Sequence, residues 1–147
     1  MKGLFEVSSV EETWELARRF AQELSPGDVV CLEGDLGAGK TTFTQALAAA
    51  MGVSGRVTSP TFCIVQEHAG ERFLVHMDLY RLHDEADVEA IGWEDYLAQG
   101  AILVVEWPER AGSLFRRTPG GWCSVILTAR NAGRSNFCKR TDKWPRK

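Results

Sequence analysis

The sequence has no apolar run of the roughly 18 to 20 residues that a membrane-spanning helix requires. Its first six residues, Met1-Lys2-Gly3-Leu4-Phe5-Glu6, lack the pattern of a signal peptide and are expected to lead straight into a charged helix. Internal repeats, low-complexity stretches and linkers are also missing. These absences exclude a membrane-spanning helix and favour a cytoplasmic protein that makes no membrane contact.

Cysteine is scarce, with four residues in a chain of 147. Cys31, Cys63, Cys123 and Cys138 form no C-x-x-C pair, and no group of His and Cys has the spacing of a zinc site. A redox switch or a metal site is the functional alternative. Because free cysteine packs like a small hydrophobic residue, the thiols are predicted to lie buried among strands.

Charge is unevenly distributed along the chain. Residues 128–147 carry seven Lys and Arg against one acid, Asp142, so this segment has a net charge of +6 and residues 1–127 carry −9. A basic tail is able to touch RNA or an acidic partner, or it is simply a solvated terminus. The acidic body argues against broad nucleic-acid binding by the domain itself, and no DNA partner is expected. We predict a single domain over residues 1–139 and a frayed basic tail over residues 140–147.

The first two thirds of the chain alternate between helical and strand patterns. Ser9 and Glu12 form a capping box before an amphipathic helix that ends at Ser25-Pro26-Gly27. The other predicted elements are strand 28–33, helix 40–51, strands 62–67 and 72–78, a helical region over 84–97 interrupted at Gly92, strand 101–107, and a hairpin of 122–129 and 135–139. This order predicts an α/β fold of the P-loop NTPase type, in which helices flank a mainly parallel sheet with hairpins at its edges.

The pattern G-x-x-x-x-G-K-[ST] occupies residues 34–41, Gly34-Asp35-Leu36-Gly37-Ala38-Gly39-Lys40-Thr41. It lies between a predicted buried strand and a predicted helix, which is the context a phosphate-binding loop requires. Its glycines let successive N–H groups turn toward an anion, and the helix N-terminus adds to the positive field. Lys40 is placed to reach the β- and γ-phosphates, and the Thr41 hydroxyl to bind Mg²⁺. The alternative is an ordinary glycine-rich turn.

Two motifs of Ras-like GTPases are absent, the guanine-recognising N-K-x-D segment and the D-x-x-G switch. This favours ATP over GTP. A P-loop also needs an acid near the metal ion, and two apolar strands end in one, at Asp78 and at Glu106. Either acid alone is also compatible with a solvated carboxylate at a strand end. His76 lies on the same strand face as Asp78, in a structural hydrogen bond or in a catalytic role.

These segments together resemble the bacterial TsaE (YjeE) family of P-loop ATPases. Their order and spacing match from about residue 5 to residue 138, while the segment after Cys138 matches nothing and leaves its basic residues unassigned. The matching segments are Gly34-Asp35-Leu36-Gly37-Ala38-Gly39-Lys40-Thr41-Thr42, Ser59-Pro60-Thr61, His76, Asp78-Leu79-Tyr80-Arg81-Leu82 and Val105-Glu106-Trp107-Pro108.

The resemblance implies an ATPase that supports a complex of TsaD and TsaB, which transfers threonylcarbamoyl to adenosine 37 of tRNAs reading codons that begin with A. It implies that Thr41 and Glu106 hold Mg²⁺. It also implies that Asp78 is a Walker-B-like acid near the attacking water, and we include Asp78 among the expected metal-site residues. The expected catalytic residues are thus Lys40, Asp78 and Glu106. Residues expected to contact the nucleotide are Ser9, Gly34, Asp35, Leu36, Gly37, Ala38, Gly39, Lys40, Thr41, Thr42, Thr61, Trp107 and Arg134.

The segment Thr58-Ser59-Pro60-Thr61 is either an ordinary turn or, as the resemblance implies, a switch loop that senses the γ-phosphate. Arg81 is a candidate arginine finger. Because the sequence offers no certain finger and no dedicated substrate pocket, we expect slow hydrolysis that partners accelerate. One alternative is a small-molecule kinase of the shikimate-kinase type, which the arginines at 116 and 117 keep open. The other is a regulatory module that binds ATP without hydrolysing it.

Overall fold

The computed structural model describes residues 3–7, 9–34, 39–53, 57, 64–112, 114–117, 121–130 and 134–140. Side chains are described from residue 9 through residue 115 within these ranges. The strands are β1 Gly3–Val7, β2 Asp28–Glu33, β3 Val65–His68, β4 Leu74–Asp78, β5 Ile102–Glu106, β6 Gly121–Arg130 and β7 Arg134–Arg140. The helices are α1 Val10–Ala21, α2 Lys40–Ala50, α3 Glu85–Glu89 and α4 Trp93–Ala98, with 3₁₀ helices at Pro108–Ala111 and Leu114–Arg117.

The strands form one sheet in the order β1-β7-β6-β2-β5-β4-β3. Its centre is parallel, because β2 pairs in parallel with both β6 and β5, and β5 pairs in parallel with β4. The strands β3, β7 and β1 are antiparallel to their neighbours and lie toward the edges. The predicted α/β class, with a parallel centre and hairpins at the edges, is confirmed.

Strand alternation separates the core into two apolar layers, one on each face of the sheet. On one face, α1 and α2 pack against Val30, Leu74 and Val104, and the rings of Phe20 and Phe43 meet edge to face at 5.9 Å. On the other face, α3, α4 and the 3₁₀ helices cover a second layer. Members of this second layer include Val29, Cys31, Val75, Met77, Leu79, Val88, Trp93, Leu103, Val105, Leu114 and Phe115.

The start of α1 has the cap that the sequence predicts. Ser9 adopts an extended conformation, and its Oγ accepts a hydrogen bond from the Glu12 N–H at 3.1 Å. Leu16, Ala17 and Phe20 of α1 are buried, whereas Trp14 stays partly exposed. The apolar positions that recur every three or four residues include Trp14 and Ala17, so the pattern locates part of the buried face of this helix but overestimates how deeply Trp14 is buried.

The prediction that the first residues lead directly into a helix is wrong. Residues 3–7 form β1, which pairs antiparallel with β7 from Gly3 opposite Lys139 to Val7 opposite Ser135. The partner strand lies near the other end of the chain, so no local pattern identifies β1. The predicted interruption at Gly92 is confirmed, because its φ of 83° separates α3 from α4.

Other predictions fall on residues whose structure is described only in part. Cys31 is a free, buried thiol as expected, whereas Cys63 and residues 141–147 of the predicted tail lie outside the described residues. Cys123 and Cys138 are described as backbone within β6 and β7. Among the described residues, none of the helices combines the length and apolar character that crossing a bilayer demands.

Candidate functional site

The glycine-rich segment connects the end of β2 to the start of α2. Gly39 has φ 96°, a left-handed conformation that glycine adopts without the steric penalty of a Cβ, and its carbonyl accepts the Phe43 N–H at 2.9 Å. Lys40 is the first residue of α2, followed by the half-buried Thr41 and Thr42. Gly34 follows β2, while Asp35, Leu36, Gly37 and Ala38 lie outside the described residues.

The two strand-end acids lie side by side. In the parallel pair β4–β5, Asp78 is opposite Glu106, and Leu32 of β2 is opposite Glu106 on the other side. Because alternate residues share a face, Asp78, Glu106 and His76 point to the same face as Leu32 and Val104, which is the face covered by α2. The fold thus places both acids on the side of the sheet where Lys40 begins its helix.

His76 and Glu106 form a buried pair at this place. The Nε2 atom of His76 lies 2.6 Å from Oε2 of Glu106, and the two side chains are 0% and 5% exposed. The other imidazole nitrogen, Nδ1, is buried and has no hydrogen-bond partner among the described residues. The hydrogen bond predicted for His76 therefore exists, and its acceptor is the carboxylate of a predicted metal ligand.

The Asp78 carboxyl is less easily ionised than an ordinary aspartate. Partial burial raises its pKa, and the neighbouring charge of Glu106 raises it further. The Tyr80 N–H, which donates to Oδ1 at 3.0 Å, acts in the opposite direction, as do the charges of His76 and Lys40. Desolvation and carboxylate repulsion outweigh these favourable interactions, so the net shift of the Asp78 pKa is upward.

This donor set fits a magnesium ion. The two adjacent carboxylates and the threonine hydroxyl at the start of α2 are hard oxygen ligands, the kind that Mg²⁺ prefers. A bound cation would also relieve the repulsion between the carboxylates, which contributes to the raised pKa of Asp78. The described residues contain no cluster of three or more His, Cys, Asp or Glu side chains placed to hold a metal ion. A P-loop magnesium site needs only one or two protein carboxylates, because phosphates and waters supply its other ligands.

Trp107 connects the lysine of the loop to the protein surface. The Lys40 ammonium lies 4.7 Å from the centroid of the Trp107 ring, within cation–π range, and the Tyr80 ring lies 5.0 Å away on tilted planes. The Arg110 guanidinium lies 6.0 Å from the Tyr80 ring. The four side chains form a continuous row that runs from Lys40 through Trp107 and the exposed Tyr80 to Arg110.

The backbone of Trp107 is strained. Its φ of 57° and ψ of 51° make it the one non-glycine residue with positive φ among the described residues, and it precedes Pro108. A residue before proline usually prefers extended backbone, so the left-handed conformation of Trp107 is unfavourable. Strain of this kind clusters at functional positions. The sequence indicated Trp107, but it gave no role to Tyr80 or Arg110, since their contacts arise from the fold.

Three other predicted nucleotide contacts, Ser9, Thr61 and Arg134, stay predictions. The described hydrogen bonds of Ser9 lie within the first turn of α1, where its Oγ and carbonyl accept from Glu12 and Thr13. Arg134 is opposite Arg130 at the start of β7, and its side chain is outside the described part of the chain. Thr61 lies outside the described residues, as does the rest of the predicted switch loop, 58–60.

A parallel sheet, a strand-to-helix glycine-rich segment and acids at adjacent strand ends define a P-loop nucleotide-binding protein of the α/β class. The family model described as "Threonylcarbamoyl adenosine biosynthesis protein TsaE" matches residues 7–135. The chain therefore belongs to the TsaE family, whose members are named for tRNA threonylcarbamoyladenosine biosynthesis.

Individual relatives support this assignment. The chain is 47% identical over 98 residues to the TsaE protein of Bacillus subtilis, an alignment that covers 66% of this chain and 61% of that protein. It is 44% identical over 107 residues to the TsaE protein of Aquifex aeolicus, covering 71% of this chain and 75% of that protein. The aligned part thus spans somewhat less than two thirds of the Bacillus relative.

A solved structure has the same fold. The crystal structure of YdiB from Bacillus subtilis superposes with a TM-score of 0.76 at 28% sequence identity, covering 97% of this chain and 88% of that chain. The agreement extends over nearly the whole chain, including the antiparallel strands at the sheet edges.

Proposed function

We propose that this protein is a magnesium-dependent ATPase that serves the threonylcarbamoylation of tRNA. The observation that carries the proposal is the convergence of Lys40, Asp78 and Glu106 at the end of the parallel sheet, where the charge of Lys40 acts on the Asp78 carboxyl. A triphosphate bound at the start of α2 would meet one ammonium group and two carboxylates there. The family names supply the pathway.

Each residue has a distinct task in this proposal. Lys40 leaves the Trp107 ring, a contact of about 0.5–1 kcal/mol at exposed sites, for a stronger charge-assisted bond to the β- and γ-phosphates. The Thr41 hydroxyl and the Glu106 carboxylate would hold Mg²⁺. When bound, the ion neutralises charge that develops on the phosphate oxygens. Asp78, whose raised pKa makes it a better base than an ordinary aspartate, orients the attacking water.

We further propose that the hydrolysis is slow until protein partners dock. Arg81, the candidate arginine finger, is exposed, which is compatible with a catalytic site that is completed only when a partner docks. An arginine finger contributes roughly 10³- to 10⁵-fold in rate, and its absence leaves the isolated site slow. We take TsaB and TsaD as the partners, with tRNA reached through that complex in the cytoplasm, and residues 1–139 as the ATPase domain.

The proposal is tested by reconstituting tRNA modification from purified TsaB, TsaD, the threonylcarbamoyl-adenylate donor and this protein, comparing wild type with Glu106→Ala. We expect wild type to support modification and partner-stimulated phosphate release, and Glu106→Ala to lose both by roughly 10²-fold or more. Equal modification by both proteins would contradict the assignment of Glu106.

Two other outcomes would replace the proposal itself. Nucleotide binding without magnesium-dependent phosphate release, with or without partners, would make the protein a regulatory module. A phosphorylated product from a panel of small metabolites would make it a kinase. A turnover of many per second by the isolated protein, unchanged by partners, would remove the partner-gated step while keeping the ATPase.

A further inference from the structure

Among the described residues, the buried imidazole of His76 has one hydrogen-bond partner, and that partner is a proposed magnesium ligand. His76 is 0% exposed, and its Nε2 lies 2.6 Å from Oε2 of Glu106, a short distance typical of a charge-assisted bond. Replacing both partners of a buried hydrogen bond by apolar groups of the same shape is nearly neutral for stability, so stability alone does not require such a pair. The pairing of this group with a site carboxylate therefore indicates a task at the site.

The position of the shared proton follows from the surroundings. In the magnesium-bound state that we propose, Glu106 is an ionised carboxylate, which only accepts hydrogen bonds, so Nε2 of His76 is the donor in that state. The opposite arrangement would point the lone pair of Nε2 at a carboxylate oxygen. Nδ1 has no partner among the described residues, so the ring is oriented by Glu106 alone on its hydrogen-bonding side.

The strand register explains why this contact is available. His76 is opposite Val104 in the β4–β5 pair, and Asp78 is opposite Glu106, so His76 lies one side-chain step deeper than the two acids on the same face. Around it, Leu74 and Val104 belong to the apolar layer. Glu106 can therefore turn back toward His76, while Asp78 lies alongside and has its own hydrogen bond from the Tyr80 N–H.

We infer that His76 is a positioning residue: by holding Oε2 of Glu106, it fixes the carboxylate so that Oε1 is presented to the magnesium ion of a bound nucleotide. The inference rests on the proposed function. Carboxylates that bind metal ions are themselves hydrogen-bonded, and loss of such a partner typically costs 10- to 100-fold in metal affinity or activity.

The experiment measures the dissociation constant of a non-hydrolysable ATP analogue by calorimetry, with excess Mg²⁺ and with EDTA. The readout is the dissociation constant with EDTA divided by that with Mg²⁺, which we call the magnesium gain. Its measurement needs no turnover. We expect His76→Leu to lower the magnesium gain by roughly 10- to 100-fold. The matched control His76→Gln keeps an N–H donor near the Nε2 position and should retain most of the gain.

A double-mutant cycle tests whether His76 acts through Glu106. Glu106→Gln alone should lower the magnesium gain, and adding His76→Leu to it should lower the gain no further, because the two changes remove one shared interaction. Independent, additive losses would show that His76 affects magnesium by another route and would overturn the inference. Should the leucine variant fail to fold, His76→Asn, whose amide is too short to reach Oε2, replaces it in the same cycle.

The outcomes separate this inference from the proposed function. A wild-type protein without any magnesium gain would remove the magnesium site itself. A wild-type gain that Glu106→Gln abolishes and His76→Leu preserves, with only a lower melting temperature, would keep the site and reduce His76 to a structural residue.

Discussion

The two ends of the parallel sheet contain buried or half-buried charged groups, but these groups have different partners. At the amino end, the Arg72 guanidinium donates to the carbonyls of Ala21 and Leu24 at the end of α1. Asp28, which is 0% exposed, accepts the Ser25 N–H at 2.7 Å. Charged side chains at this end satisfy backbone groups where α1 leads into β2.

At the carboxyl end the charged side chains face one another. Glu106 is paired with His76, Asp78 is opposite Glu106, and Lys40 acts electrostatically on Asp78. Charge placed against backbone stabilises the fold, whereas charges placed against each other shift pKa values and create a site for a ligand. The comparison leads to the hypothesis that the amino end of the sheet has a structural role and the carboxyl end the proposed functional role, as in other open α/β sheets.

The largest effect is expected at the carboxyl end, from Lys40→Ala. Removing a cation that stabilises charge on a transferring phosphoryl group typically costs roughly 10²- to 10³-fold in rate. The melting temperature should change little, because the interactions lost from the folded protein are the contact with the Trp107 ring and the attraction to the Asp78 carboxyl. Phosphate release and calorimetric nucleotide binding measure the effect.

The matched control for Lys40→Ala is Arg19→Ala, which removes one positive charge from an exposed position of α1. It should leave both nucleotide binding and phosphate release unchanged. Equal nucleotide affinity in wild type and Lys40→Ala would contradict the assignment of the nucleotide site to the carboxyl end of the sheet.

A smaller effect is expected at the amino end, where Arg72→Ala should lower stability without changing nucleotide binding. Two carbonyls of α1 lose a charged donor, which should lower the free energy of unfolding by about 2–3 kcal/mol. For a chain of this size the melting temperature should fall by about 5–10 °C. Nucleotide affinity, measured well below the melting temperature, should not change, and Arg72→Lys should fall between the two proteins.

Calorimetric unfolding and nucleotide binding on the same samples decide this prediction. A loss of affinity comparable with that of Lys40→Ala, at unchanged stability, would show that the ends of the sheet do not divide their roles.

A small effect on stability, which depends on pH, is expected from Asp78→Asn. Burial and Glu106 raise the pKa of folded Asp78 above its unfolded value of 3.8. The protonated acid therefore adds stability that is fully present below the unfolded pKa and is lost as pH rises through the folded pKa. Asparagine never ionises, so the variant should be more stable than wild type at pH 7, by less than about 1 kcal/mol because the carboxyl is half exposed.

Thermal unfolding with EDTA, from pH 3 to pH 8, measures this difference, about 2–4 °C at pH 7. The advantage of the variant should shrink as the pH falls and vanish below the ordinary aspartate pKa of about 3.9. The same variant should lose phosphate release, so that stability and function change in opposite directions. A wild-type protein that is the more stable one at pH 7 would contradict the unfavourable environment assigned to Asp78.

Local patterns predicted most of the fold and part of the site. The cap at Ser9, the break at Gly92 and the apolar strands β2 and β5 each depend on interactions within a few residues, which the sequence displays directly. Strand β1 was not predictable in this way, because its five residues are defined by pairing with β7 near the other end of the chain.

The sequence by itself determined the chemical inventory: a glycine-rich segment that ends in Lys40 and Thr41, and two apolar strands that each end in an acid. Only the tertiary structure decided how these residues meet. The parallel register sets Asp78 opposite Glu106, and the left-handed turn at Trp107 brings its ring to Lys40 and Tyr80. The physical reason is that residue type fixes charge and conformational preference locally, whereas burial, shared protons and repulsion depend on neighbours that are distant in sequence, such as His76 and Glu106.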